Sequence, residues 1–251
     1  MQYHVGEYTE KIFKRCTLIA GIDEVGRGPL AGPVVACAVV FRKGFSLEGL
    51  NDSKKLSPKR RAELCKKILD GAECVNWSFI DERKIDEINI FQAAKQAMLD
   101  SVAGLVVKPE YLLIDAMQLP SVPIEQESLV KGDQREPCIM AASIVAKEVR
   151  DGYMRQLGDL YPEYGFEKHM GYGTAQHMKA LSELGVQDCH RRSFKPVMQV
   201  LLTREGALEL ELRDKSKVEL VSFINMVKHM GLDGLLSPKM SLFNSYLRQA
   251  S

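Results

Sequence analysis

A chain of 251 residues, 45% hydrophobic and 27% charged, is long enough to bury the core of one large domain or of a main domain with an appendage. Lys plus Arg (34) nearly balance Asp plus Glu (33), so a net charge of +1 excludes a global field that gathers polyanions, and nucleic-acid contact must come from local patches. Six cysteines without Cys-x-x-Cys spacing exclude a zinc ribbon and read as reduced thiols, and no apolar run is long enough for a membrane-spanning helix.

In chain order, Met1–Arg15 is polar and charged, without the apolar core of a leader, which makes the expected location cytoplasmic. Residues 17–24 read as a buried strand ending in Asp23-Glu24, and residues 34–43 as a second, β-branched strand. The Gly-Arg-Gly turn between them is short, which favours antiparallel neighbours. Asn51–Leu56 is a polar loop. Ser57-Pro58 then supplies an N-cap and a first-turn proline for a helix to about Leu69, stopping at Gly71. Leu64, Ile68 and Leu69 form its apolar stripe, and Lys59, Arg60, Arg61, Lys66 and Lys67 read as its solvated face.

Residues 74–80 alternate as a third strand, and 82–104 read as one helix capped at Gly104. Tyr111–Asp115 is a buried strand that again finishes on a carboxylate. Residues 116–126 read as loop, and 128–131 as a short strand leading to Gly132-Asp133. A small-residue helix runs from 137 towards 157. A glycine- and aromatic-rich loop (161–174), a helix (175–184) and the segment His190–Pro196 follow. Beyond about residue 204 the texture changes, with helices expected around 218–227 and 238–249. The expected division is a main domain at 1–204 and a helical extension at 205–251.

Asp23, Asp115 and Asp133 each follow an apolar run or its turn, which in a strand-centred fold places them at neighbouring strand ends. Glu24 adds a fourth acid, on the opposite side of a regular strand from Asp23. Asp52, Asp70 and Asp188 read as turn or cap residues, and Asp151 as an ion-pair partner on its helix. Four acids held together repel one another unless cations bind, and oxygen donors without a His/Cys cluster favour Mg²⁺ or Mn²⁺. A pair of such ions activates water and stabilises a leaving oxygen in phosphodiester cleavage. The spacing Gly26-x-Gly28-x-x-x-Gly32, followed by a strand, excludes a dinucleotide-binding fingerprint.

These segments, taken together, resemble ribonuclease HII of bacteria. The matching stretches are Gly21–Val35, Asp52–Ser57, Leu113–Asp115, Lys131–Asp133, Ala141–Lys147, Tyr161–Phe166, Gly171–Thr174 and His190–Phe194, spread over about residues 17–200. The resemblance implies an α/β ribonuclease H-like fold, a central five-stranded mixed sheet flanked by helices, with the C-terminal helical extension beyond it. It assigns the metal-binding and catalytic acids to Asp23, Glu24, Asp115 and Asp133, with Mn²⁺ or Mg²⁺ as cofactor. It also implies hydrolysis 5′ to a ribonucleotide, leaving 3′-hydroxyl and 5′-phosphate ends, in RNA–DNA hybrids and at single ribonucleotides in duplex DNA. A monomer without membrane attachment is expected.

The resemblance also implies that recognition of the ribose maps onto Gly26, Arg27, Gly28 and Tyr172. Glycines let backbone groups reach a 2′-hydroxyl, arginine holds phosphate, and a tyrosine ring stacks on the next sugar. Ser53, Lys54, Lys131, Ser143 and Lys147 are the expected phosphate contacts, while His169 and His190 read either as groups that tune product release or bind phosphate, or as structural histidines. Met170 stands where the family often has lysine. The alternatives are a non-catalytic hybrid-binding protein on this fold and the related ribonuclease HIII, which would carry an extra N-terminal domain where only about 16 residues precede the first strand here.

Overall fold

The computed structural model describes residues 6–204 and 206–250. Its contacts divide the chain into two compact units: one made of the residues up to Arg27 with Pro33–Tyr153, the other of Gly28–Gly32 with the residues from Met154 onward.

The first unit is built on a five-stranded mixed sheet in the order β3-β2-β1-β4-β5. Strand β1 (Leu18–Val25) pairs antiparallel with β2 (Val34–Arg42) and parallel with β4 (Tyr111–Asp115); β3 (Cys74–Ile80) and β5 (Glu125–Leu129) form the edges. Burial follows position in the sheet. From Val34 to Phe41 every residue of β2 is buried, the continuous apolar run that a strand covered on both faces requires. Edge strand β5 exposes Glu125 and Glu127, charges that discourage further strand pairing. That polar edge is why the sequence pattern places the strand at 128–131, whereas it begins at Glu125 within the expected loop.

Helix α1 (Glu7–Ile12) precedes the sheet, and the buried carboxylate of Glu136 accepts the Thr9 hydroxyl at 2.7 Å. Helix α2 (Pro58–Gly71) starts at the Ser57 cap and buries Leu64 and Ile68, each contributing about 1.5–3 kcal/mol. Arg61 departs from the expected solvated face. It is buried and binds Glu148 at 2.6 Å and Asp151 at 3.1 Å, because a helix this close to α5 (Pro137–Leu160) needs a paired charge at the contact. The single helix expected over 82–104 is two, α3 (Glu82–Ile88) and α4 (Ile90–Ala103). Asn89 adopts φ 68° between them and its Oδ1 accepts the amides of Phe91 and Gln92, a new N-cap inside an uninterrupted apolar pattern. Helix α5 packs hard on β1: a Cβ on Gly21 would lie 2.1 Å from the Cys138 carbonyl, so only glycine fits there. This approach brings the α5 hydroxyl of Ser143 over the end of β1.

In the second unit the residues of α5 from Met154 onward lead into a 3₁₀ turn (Pro162–Tyr164), the short helix α6 (Phe166–His169) and α7 (Ala175–Leu184). The loop expected at 161–174 is thus partly helical. Helix α8 (Lys195–Thr203), not anticipated from the sequence, starts with Pro196 in its first turn. The tail is helical as expected, in α9 (Ala207–Leu212), α10 (Lys217–His229), α11 (Asp233–Leu236) and α12 (Met240–Gln249), and Ser216 and Glu219 form a reciprocal capping box at α10. Met198, Leu201 and Leu202 of α8 share one buried cluster with Leu212, Leu220, Phe223, Val227 and Phe243, so the tail helices are packed onto α8. All six cysteines are free, and no helix among the described residues is long and apolar enough to cross a membrane.

Candidate active site

The four acids meet in the first unit. The register sets Ile22 of β1 beside Ile114 of β4, so the next residues, Asp23 within β1 and Asp115 at the end of β4, follow the last paired position of these parallel neighbours. Asp133 reaches the same place through a short 3₁₀ turn (Gly132–Gln134): the Gly132 amide donates to Asp115 Oδ1 at 2.7 Å. Two residues beside these acids hold left-handed backbone without being glycine, Ala116 at φ 47° and Lys131 at φ 58°. Such conformations cost about 1–3 kcal/mol each and persist where the surrounding fold dictates the turn.

Electrostatics tie the acids into one group. Burial pushes Asp23 well above the usual carboxylate range, and the charges of Glu24 and Asp115 add to it. Burial likewise raises Glu24; Arg27 opposes the rise and Asp115 reinforces it. Asp115 is raised by burial and by Asp133, with the Gly132 amide and Lys54 opposing. The charge of Asp115 thus acts on Glu24 as well as on Asp23, although the two alternate along β1. Two cations flank the acids: Arg27 Nη1 lies 3.4 Å from Glu24 Oε1, and Lys54 Nζ lies 3.7 Å from Asp133 Oδ2. Ser143 hydrogen-bonds Asp23, and its Oγ is 3.0 Å from Ser53 Oγ. The Asp52 carboxylate accepts the Lys54 amide at 3.0 Å, the turn-forming role expected of it.

Divalent cations fit this donor set in kind. The ligands are hard oxygens, and their mutual repulsion is the energy a bound cation would relieve. As placed, no three His, Cys, Asp or Glu side chains among the described residues form a closed cage.

The remaining candidates fall in three places. Gly26 turns the chain at φ 94°, where a Cβ would also meet Arg150 Nε at 2.2 Å. Lys131 is exposed. Lys147 is tied to Asp151 at 2.7 Å, which makes Asp151 the ion-pair partner expected and leaves Lys147 able to hold phosphate only by giving up that contact. In the second unit Gly28 faces Tyr172, whose Cε1 lies 3.5 Å from where a Gly28 Cβ would be. The Gly28–Gly32 segment is stitched to the Tyr172 loop by the Leu30 amide on the Gly171 carbonyl at 2.8 Å, and to the 189–191 segment by the Gly32 amide on the Cys189 carbonyl at 2.9 Å. His169 and His190 are buried with both ring nitrogens engaged, which is the structural alternative and not the phosphate-binding one. Met170 closes α6 at φ 51°.

Sequence reasoning missed two buried arginines. Arg150 Nε donates to the Pro33 carbonyl at 2.9 Å within the first unit, and Arg191 Nη2 to the Gly32 carbonyl at 2.6 Å within the second, so both brace the end of the glycine turn. Their targets are backbone carbonyls, which leave no mark in a sequence.

The model of the family described as ribonuclease HII matches residues 20–197, a span that contains every acid and glycine just described. The chain belongs to the ribonuclease HII family. It is therefore a nuclease. The family's ribonuclease HII from Bacillus mycoides (strain KBAB4) is 56% identical to it over 188 residues, covering 75% of this chain and 73% of that one. Among solved structures it is similar to ribonuclease H2 from Pyrococcus horikoshii OT3, with TM-score 0.64 and 25% identity over 73% of this chain and 96% of that one. It is also similar to an RNase HII from Archaeoglobus fulgidus solved as a PCNA complex, with TM-score 0.60 and 27% identity over 71% of this chain and 95% of that one.

Proposed function

We propose that this nuclease hydrolyses the phosphodiester 5′ to a ribonucleotide, in RNA–DNA hybrids and at single ribonucleotides embedded in duplex DNA, leaving 3′-hydroxyl and 5′-phosphate ends. The observation that carries this reading is the group of acids, Asp23 and Asp133 buried and Glu24 and Asp115 half-buried, in which burial and neighbouring carboxylate charges raise the proton affinity of Asp23, Glu24 and Asp115. These acids would hold Mg²⁺ or Mn²⁺. A bound pair of such ions supplies an activated water and charge neutralisation at the leaving oxygen.

The chain's own groups do the rest. Ser143 and the Glu24 amide fix the Asp23 carboxylate by hydrogen bonds, the amide at 2.7 Å, and the Gly132 amide fixes Asp115, so the donors keep their direction when charged. Gly26 and Gly28 keep the backbone bare where a ribose 2′-hydroxyl must approach, and Arg27, next to Glu24 in the fold, reaches a flanking phosphate. The exposed ring of Tyr172 stacks on the sugar after the ribonucleotide. A 2′-hydroxyl there would clash, so the stack serves single ribonucleotides more than continuous RNA. Ser53, Lys54 and Lys131 contact the phosphates along the strand, and Lys147 can join them on releasing Asp151. Six free thiols suit a reducing compartment such as the cytoplasm.

Incubation with Mn²⁺ or Mg²⁺ and an RNA–DNA hybrid tests the reading. Cleavage is expected from the native chain, with a loss of at least about a hundredfold in Asp115→Asn. A hybrid left intact, or a variant as fast as the native chain, would refute it and favour the non-catalytic alternative.

A further inference from the structure

Three histidines from separate places in the sequence meet beneath the Tyr172 loop, and one proton arrangement satisfies all their hydrogen bonds except the longer contact of His190 Nδ1 with the Gln187 carbonyl at 3.3 Å. His177 Nδ1 lies 3.0 Å from the Tyr172 carbonyl, which only accepts, so Nδ1 carries the proton. His177 Nε2 is then an acceptor, and His190 Nε2, 3.1 Å away, donates to it. His190 Nδ1 accepts the Gln187 amide at 2.9 Å. His169 stacks on His177 with centroids 4.6 Å apart and planes 12° apart; its Nε2 donates to the Tyr164 carbonyl at 2.9 Å and its Nδ1 accepts the Gly171 amide at 3.3 Å. Burial pushes His177 down to about 4 and His190 to about 3, so these rings are neutral at neutral pH, as the bonding requires.

The relay joins the two segments that face each other. His190 forms a backbone bridge with Ala31 of the Gly28–Gly32 segment, while His177 holds the carbonyl of Tyr172. The Tyr172 ring is 43% exposed, so packing alone does not aim it; its direction comes from the backbone anchors at its own carbonyl and amide. Only a neutral imidazole offers a donor at one edge and an acceptor at the other in the width of one ring.

We propose that the His190–His177 relay, with His169 stacked on it, positions Tyr172 opposite Gly28 and so sets the selectivity for single ribonucleotides. The proposal rests on the reading of Tyr172 as the group that stacks on the following sugar. His177 is a positioning residue: it acts on the substrate through Tyr172.

The test compares two amides at position 177, assayed with Mn²⁺ on a duplex bearing one ribonucleotide and on an RNA–DNA hybrid. His177→Asn sets an amide where Nδ1 sits and keeps the bond to Tyr172. His177→Gln sets it where Nε2 sits and loses that bond. Gln should lower single-ribonucleotide incision by roughly tenfold to a hundredfold relative to hybrid cleavage, and Asn should restore the ratio. In a Tyr172→Ala background, His177→Gln should cause no further change in that ratio. Equal ratios for Asn and Gln, an equal loss on both substrates, or independent effects in the double variant would overturn the proposal. If Tyr172→Ala alone leaves the ratio unchanged, the reading of Tyr172 fails and the proposal falls with it. If Tyr172→Ala lowers the ratio and His177→Gln does not, only the positioning proposal fails. Thermal melting of each variant separates misfolding from misplacement, since a folding defect lowers both activities together.

Discussion

Replacing Asp23 by Asn should stabilise the metal-free protein while disabling it. Asp23 is buried against Glu24 and Asp115, and burial is the largest cause of its raised proton affinity. A like charge about 4 Å away costs about 1–4 kcal/mol between water-like and protein-surface screening, and partial proton uptake in the native chain already relieves part of it. We therefore expect a gain of about 1–2 kcal/mol, or about 2–8 °C in melting temperature for a chain of this size, measured in EDTA at pH 7–8. The sign with pH follows from the raised folded affinity. Below the unfolded value of about 4 both chains are neutral at this position and the difference vanishes; it grows as pH rises through that value and towards the folded one. Adding Mn²⁺ should reverse the order, because a cation at 100 times its Kd stabilises the native chain by about 2.7 kcal/mol and the variant by less. A variant that melts lower than the native chain in EDTA, or that gains equally from Mn²⁺, would refute the view of Asp23 as a self-repelling metal ligand.

Other expectations concern the loops around these acids and the second unit. Gly28→Ala should fold with stability within about 0.5 kcal/mol, since its Cβ meets Tyr172 at an ordinary 3.5 Å, yet fill the space opposite the ring and slow single-ribonucleotide incision roughly tenfold or more; unimpaired incision would contradict it. Ala116→Gly should raise stability by up to about 1 kcal/mol by relieving φ 47°, read from urea melts. Acid should weaken the second unit: His177 and His190 bind protons less readily when folded, so their contribution is full above the unfolded value of about 6.5 and is lost as pH falls towards about 4 and about 3. Two such groups cost as much as about 4 kcal/mol between pH 6.5 and 5, and a stability of this unit that is flat across that window would exclude the neutral relay.

How much of this was legible depended on whether a residue's role was local. Asp23, Asp115 and Asp133 could be found because each ends an apolar run or its turn, and strand ends that follow burial patterns are visible in sequence. The Ser57 cap of α2 and the limits of α7 were equally local. The start of β5 was not, because an edge strand of alternating Glu and Gln carries the composition of a loop. The break at Asn89 was hidden in a continuous apolar stripe, though an Asn between Ile88 and Ile90 was the one available signal. Arg61 looked like a helix-surface charge, and Arg150 carried no signal at all, until their partners Glu148, Asp151 and the Pro33 carbonyl came from elsewhere in the chain. His169, His177 and His190 share no period, and their meeting is purely a matter of tertiary packing.

The central claim is that ribose recognition and bond cleavage meet at one phosphodiester. End mapping of a duplex with one embedded ribonucleotide, incubated with Mn²⁺ or Mg²⁺, tests it most directly. The account predicts a single cut immediately 5′ to the ribonucleotide, with a 3′-hydroxyl on one fragment and a 5′-phosphate on the other. A cut on the 3′ side, a 2′,3′-cyclic phosphate end, or an uncut duplex would contradict it.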